Sequence, residues 1–235
     1  MPSLIFDIET VGEEWVTIDD QTQKLLAERV TKLDASISDE ESVIQAENNL
    51  GLSPYTGQIV AIGVLDSDTQ KGAVYYQAPN KSIAGRDIDG IKLAVTSEKD
   101  MLVKFWELAE RYTEFVSFSG RTFDIPYLVI RSAIHGLRPS KDLMRGRYLY
   151  QQAPNALQID LRDQLCFYGA ISGLGGLHLA CRAFGIETPK DGKIDGGKVG
   201  DYFKNGQFEE IAEYNARDLV STRELYLKWK KYLAF

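Results

Sequence analysis

Asp7 and Glu9, Asp124, and Tyr214 with Asp218 stand in three short segments far apart in a chain of 235 residues: Phe6-Asp7-Ile8-Glu9-Thr10, Phe123-Asp124-Ile125-Pro126 and Tyr214-Asn215-Ala216-Arg217-Asp218. Four carboxylates gathered at one point repel one another unless they hold divalent cations. The set therefore points to a two-metal phosphoryl-transfer centre, provided the fold brings the three segments together.

The elements that must do this can be read locally. Ser3 to Ile8 is short, β-prone and apolar up to its acidic end, which predicts a strand. Asp7 and Glu9 are two apart, so an extended backbone projects both from one face. Burying them unpaired would cost several kcal/mol per charge, so a positive group belongs beside them. Asp124 follows a predicted strand, Glu114 to Phe118, and opens a predicted helix, Ile125 to Ile134, with Gly136 just past its end. Its carboxylate then sits at the carboxyl end of a strand, where open α/β sheets bind ligands, although a plain helix cap would use the same residue. Tyr214 and Asp218 are four apart among strong helix formers and share a helix face. That spacing suits a core tyrosine beside a solvated acid, and equally a phenol that positions water beside a ligand carboxylate.

The rest of the chain reads as one α/β domain over residues 1–235. Gln58 to Leu65 and Gly72 to Gln77 continue the first strand as an antiparallel meander, and Ser97 with Asp100 opens an amphipathic helix carrying Met101, Leu102, Phe105, Trp106 and Ala109. Glu114 to Phe118 then returns parallel to the first strand. Leu157 to Leu161 is a fifth strand. Helices follow at Leu161 to Tyr168, Leu177 to Phe184 before Gly185, and about Phe208 to Tyr232. Residues 12–50 interrupt this plan as a helical insertion, with Asp19 or Asp20 and then Ser38 with Glu41 as helix starts.

Charge is unevenly placed. The net charge is −7, and residues 12–50 alone hold ten acidic against three basic side chains, leaving 24 of each sign elsewhere. The overall acidity therefore does not exclude a polyanionic substrate. Cys166 and Cys181 are the two cysteines. They lack metal-binding or redox spacing and read as buried free thiols of a reducing compartment. No apolar run reaches the roughly eighteen residues of a membrane span, and the amino terminus opens with a strand in place of a signal segment, so the expected location is cytoplasmic and no membrane partner is expected.

Taken in order, Phe-Asp-Ile-Glu-Thr, Ser119-Gly-Arg-Thr-Phe-Asp124-Ile-Pro-Tyr-Leu128 and Tyr214-x-x-x-Asp218 resemble the three exonuclease motifs of the DEDDy 3′→5′ exonucleases. These belong to the ribonuclease H-like superfamily and include proofreading domains of family B DNA polymerases. The segment Gly185 to Val199 and the run Phe208 to Tyr214 further resemble stand-alone exonucleases related to those domains. The resemblance implies a mixed five-stranded sheet flanked by helices, with Asp7, Glu9, Asp124 and Asp218 as ligands of two Mg²⁺ or Mn²⁺ ions and Tyr214 orienting the attacking water. Position 213 is Glu213, where the sister subfamily has histidine, which excludes the histidine type.

The activity implied is release of nucleoside 5′-monophosphates from the 3′ end of single-stranded nucleic acid, DNA favoured over RNA, with DNA repair as the setting and any polymerase acting in trans. The family often has asparagine where this chain has Ser119, which bears on substrate contact and leaves metal binding intact. Thr10, Ser119, Arg121 and Phe123 are candidate substrate contacts, and Lys190, Lys193 and Lys198 a candidate clamp over the 3′ end. Arg138, Lys141, Arg145 and Arg147 form a basic stretch, and Phe123, Tyr127 and Tyr168 are candidates for stacking on terminal bases, with core packing competing for Phe123. The alternative from another class is a catalytically silent ribonuclease H-like domain that binds nucleic acid or serves as a scaffold.

Overall fold

The structure, a computed structural model, describes residues 3–187, 194 and 196–234. Lys190 and Lys193 lie outside the described residues. Among the described residues seven strands form one mixed sheet: β1 (Ser3–Gly12), β2 (Gly57–Asp66), β3 (Gly72–Tyr76), β4 (Arg86–Ile88), β5 (Ile91–Val95), β6 (Glu114–Ser117) and β7 (Leu157–Asp160). Their order is β4-β5-β3-β2-β1-β6-β7, with β1 antiparallel to β2 and parallel to β6, and β6 parallel to β7.

The five predicted strands are β1, β2, β3, β6 and β7, contiguous within this order. The other two correct the expected count. Asp89 and Gly90 both take positive φ, so an Asp-Gly turn folds β4 back on β5, and β5 then adds parallel to β3, leaving β4 as the edge strand.

The helices are α1 (Asp20–Leu33), α2 (Asp39–Asn48), α3 (Glu98–Ala109), α4 (Asp124–Ile134), α5 (Leu161–Leu165), α6 (Leu177–Ala183), α7 (Val199–Lys204) and α8 (Phe208–Tyr232). Their starts follow local chemistry. The Asp19 side chain accepts the Thr22 N–H, Ser38 and Glu41 form a reciprocal capping box, and Ser97 accepts the Asp100 N–H.

Alternation along β1 divides the core in two. Leu4, Phe6 and Ile8 pack with α3 and α4, through Leu102, Phe105, Ile125 and Leu128. Ile5 and Val11 face the other side, packed by Leu219, Leu225 and Tyr226 of α8. Asp7 and Glu9 share the odd-numbered face of β1 with Ile5 and Val11, and so lie under α8.

The insertion is the helical element that the sequence predicts. Its helices α1 and α2 pack on each other, and the chain rejoins the sheet through a turn at Leu50–Leu52. There the Thr10 hydroxyl donates to the Gly51 carbonyl at 2.7 Å, and a Cβ on Gly12 would lie 2.5 Å from Leu50 Cβ, so the two ends of the insertion close tightly on one another.

Candidate metal centre

The sheet brings the separated carboxylates together. One carboxylate oxygen from each of Asp7, Glu9 and Asp218 lies within 4.8 Å of the others. Glu9 and Asp124 are buried, whereas Asp7 and Asp218 remain partly open to solvent. Asp124 is the first residue of α4, yet the cap position, Phe123, makes no side-chain cap bond. Its Oδ1 instead accepts the N–H of Ile8, between Asp7 and Glu9, at 3.1 Å. The carboxylate thus joins α4 to the acidic end of β1, so plain helix capping does not describe it.

Mutual repulsion shows in the acidities. Burial raises the Asp7 carboxyl well above the usual range, and the charges of Asp124, Glu9 and Asp218 raise it further, against one amide hydrogen bond from Asn215. Glu9 is raised in the same way, by burial and then by Asp218 and Asp124. Asp124 is pushed up to about 7 by burial, with the Ile8 N–H opposing and nearby Asp160 adding to the rise. Tyr214, buried against α8's neighbours and hydrogen-bonded to Asp218, has its phenol raised far above normal by burial and by Asp218, Glu9 and Asp7. All four carboxylates are oxygen donors, and cations would relieve their repulsion, so the set fits hard divalent ions.

Three residues to which the sequence assigned no role complete the arrangement. Asn215 is fully buried, and its Nδ2 donates to Asp7 Oδ2 at 2.8 Å. It reaches that position because Gly63, paired with Asp7 across the β1–β2 ladder, leaves the space: a Cβ there would lie 2.0 Å from Asn215 Oδ1 and 2.7 Å from Leu219 Cδ1. Asp160, at the end of β7, accepts the N–H groups of Ser119 and Arg121 at 2.9 and 3.0 Å, and so holds the turn that leads into Asp124. Asn215 lies between Tyr214 and Asp218, the one sequence signal available; Gly63 and Asp160 carry none.

The softer candidates separate. Ser119 sits beside this turn with φ of +66°, and Thr10 faces the neck of the insertion. Arg121 Nη2 donates to the Met144 carbonyl at 3.0 Å. Phe123 packs against Tyr127, ring centroids 5.3 Å apart. Tyr127 is buried, its hydroxyl 2.9 Å from the carbonyls of both Gly51 and Ser53, which removes it as a stacking residue. Glu213 pairs with Arg86 of β4. Cys166 and Cys181 are free thiols, and only Cys181 is buried.

No helix among the described residues is long and apolar enough to cross a membrane. No curated protein matches the sequence. In fold the chain is similar to the family B DNA polymerase from the hyperthermophilic archaeon Pyrobaculum calidifontis, with a TM-score of 0.61 and 17% identity over 97% of this chain. It covers 24% of that polymerase. A family model matches residues 52–234, a span that holds Asp124, Tyr214 and Asp218, while Asp7 and Glu9 on β1 precede it. The chain therefore belongs to the family described as predicted 3′-5′ exonucleases related to the exonuclease domain of PolB.

Proposed function

We propose that the protein hydrolyses phosphodiester bonds at the 3′ end of single-stranded nucleic acid, DNA in preference to RNA, and releases nucleoside 5′-monophosphates. The observation that carries this reading is the convergence of Asp7, Glu9 and Asp218 within 4.8 Å, with Asp124 bonded to the backbone between the first two. Asp7, Glu9, Asp124 and Asp218 would hold two Mg²⁺ or Mn²⁺ ions. Such ions, when bound, supply Lewis-acid activation of water and stabilise charge on the departing 3′ oxygen.

The chain's own groups do the positioning. Asn215 fixes one oxygen of Asp7 by donating its amide N–H to Oδ2. The Ile8 N–H orients Asp124, and the Asp160 carboxylate holds the turn before it. In the cation-free site, burial and the charges of Asp218, Glu9 and Asp7 raise the Tyr214 phenol above its ordinary value, so the hydroxyl holds its proton there. It therefore acts as a fixed hydrogen-bonding group that orients the attacking water, and it does not serve as a base.

The test is digestion of 5′-labelled single-stranded DNA and RNA with Mg²⁺ or Mn²⁺. A ladder shortening from the 3′ end is expected, and Asp7→Ala or Asp124→Ala should abolish it in protein that remains folded. Tyr214→Phe should lower kcat by about tenfold to a hundredfold. Full release by either aspartate variant would overturn the assignment, and no release by the native protein would leave a silent scaffold as the better description.

A further inference from the structure

A cleft of about 350 Å³ opens beside the carboxylate site, lined by Thr122, Arg147, Asp160, Arg162, Asp163 and Cys166 among others. It adjoins the site through one turn. Asp160 holds the N–H groups of Ser119 and Arg121, and the Thr122 hydroxyl donates to the Ser119 carbonyl at 2.9 Å, two residues before Asp124.

Three tyrosines gather next to Arg147 of the cleft wall: Tyr148 follows it in the chain, Tyr168 lies under its guanidinium, and Tyr150 stacks on Tyr148. Tyr148 and Tyr150 are stacked, ring centroids 5.8 Å apart and planes 14° from parallel, and Tyr148 meets Tyr168 at 4.6 Å. Tyr150 is 82% exposed and Tyr148 38%. Arg147 is clamped by Asp163 through two hydrogen bonds, of 3.1 and 2.6 Å, with its guanidinium carbon 5.9 Å from the Tyr168 ring centre. Gln164 donates to the Tyr168 hydroxyl at 2.7 Å. Phe167 and Tyr168 both take positive φ, a conformation uncommon for bulky side chains.

We propose that Tyr148, Tyr150 and Tyr168 form a stacking platform for unpaired bases of the strand whose end enters the carboxylate site. The proposal rests on the exonuclease reading in taking nucleic acid as the ligand, and it specifies where the strand runs. The exposed parallel rings of Tyr148 and Tyr150, with Arg147 held over the neighbouring Tyr168 ring, suit the faces of nucleobases, which every base offers whatever its identity. Arg162, exposed on the cleft wall, supplies charge for a phosphate. A duplex, whose bases are already stacked on one another, gains nothing from such a surface.

Binding reads the platform separately from turnover. Fluorescence anisotropy with labelled oligothymidylate and oligouridylate of about twelve nucleotides, without added metal, should give a Kd raised about tenfold by Tyr148→Ala with Tyr150→Ala. The corresponding phenylalanine variants should bind like the native protein, since stacking needs the ring and not the hydroxyl. Arg162→Ala should lower the slope of log affinity against log salt by about one. A blunt duplex should compete poorly. Alanine variants that keep native affinity and native melting would overturn the platform, as would phenylalanine variants as weak as the alanine ones. If the native protein binds these strands through the tyrosines yet releases no nucleotide with Mg²⁺ or Mn²⁺, the exonuclease reading falls and the platform stands. If it releases nucleotides but the tyrosine variants bind normally, the reverse holds.

Discussion

Ser119 shows how a single residue can be read in two ways. By composition it is a shorter hydrogen-bonding group than the asparagine usual in the exonucleases the sequence resembles. In the structure its φ is +66°, in the left-handed region where asparagine is several-fold enriched among non-glycine residues. The backbone gives a reason for asparagine there that is independent of substrate. Ser119→Asn is therefore expected to stabilise the protein by about 1 kcal/mol, a rise in Tm of about 2–4 °C for a chain of this length. Calorimetry on both proteins decides it; an unchanged or lower Tm removes the strain argument and leaves only substrate contact.

The same residues set a pH dependence. Folding raises Asp124 from 3.8 to about 7, and Asp7 and Glu9 rise with it. The folded, cation-free protein thus keeps protons that the unfolded chain releases, and it loses stability as pH climbs from about 4 to about 7. Glu98, held below its ordinary value by Arg131 and His135 against its burial, acts below that window and does not mask the trend. Thermal melts in chelator should show Tm falling between about pH 5 and pH 8, with Mg²⁺ or Mn²⁺ raising Tm more at the upper end. A Tm in chelator that rises across that range would contradict the repulsion argument.

Among the elements, the contact of α8 with β2 decides whether the site exists. Helix α8 carries Tyr214, Asn215 and Asp218, and it approaches the sheet closely because Gly63 has no side chain. Gly63→Ala would press on Asn215 and Leu219, at a cost of about 1–3 kcal/mol. The displaced helix would also lower kcat by about tenfold to a hundredfold. Urea melts with nucleotide-release rates test both, and adding Asn215→Ser should recover part of the stability by making room. Wild-type stability and rate in Gly63→Ala would show that the helix does not need this approach. Helix starts were legible because capping is local: Ser38 with Glu41 and Ser97 with Asp100 need only their own neighbours. Gly63 was not, because a glycine inside a strand acquires meaning only from what packs on it. The β4–β5 hairpin had a local signal, Asp89-Gly90, but its strands are short and lie at the sheet edge.

In the whole molecule, the insertion separates charge from fold. Its ten acidic and three basic side chains account for the net charge of −7, and its ends meet where Gly12 packs on Leu50 and Gly51. Replacing residues 14–49 with a short Gly-Ser turn is therefore expected to leave a folded protein of nearly zero net charge. It should bind single-stranded DNA more tightly at low salt, with the difference vanishing at high salt. Circular dichroism and anisotropy across a salt series measure both; collapse of the fold would show that α1 and α2 support the core.

By itself the sequence determined the α/β class, the five principal strands, the helix starts and the carboxylates that could share a site, because periodicity, capping and side-chain chemistry act over a few residues. Only the tertiary structure decided that Asp124 turns toward β1, that Asn215 braces Asp7 over Gly63, and that Tyr127 is buried while Tyr148 and Tyr150 stand exposed. Those outcomes depend on which side chains meet across elements distant in the chain, and the packing of α4 and α8 against one sheet sets them.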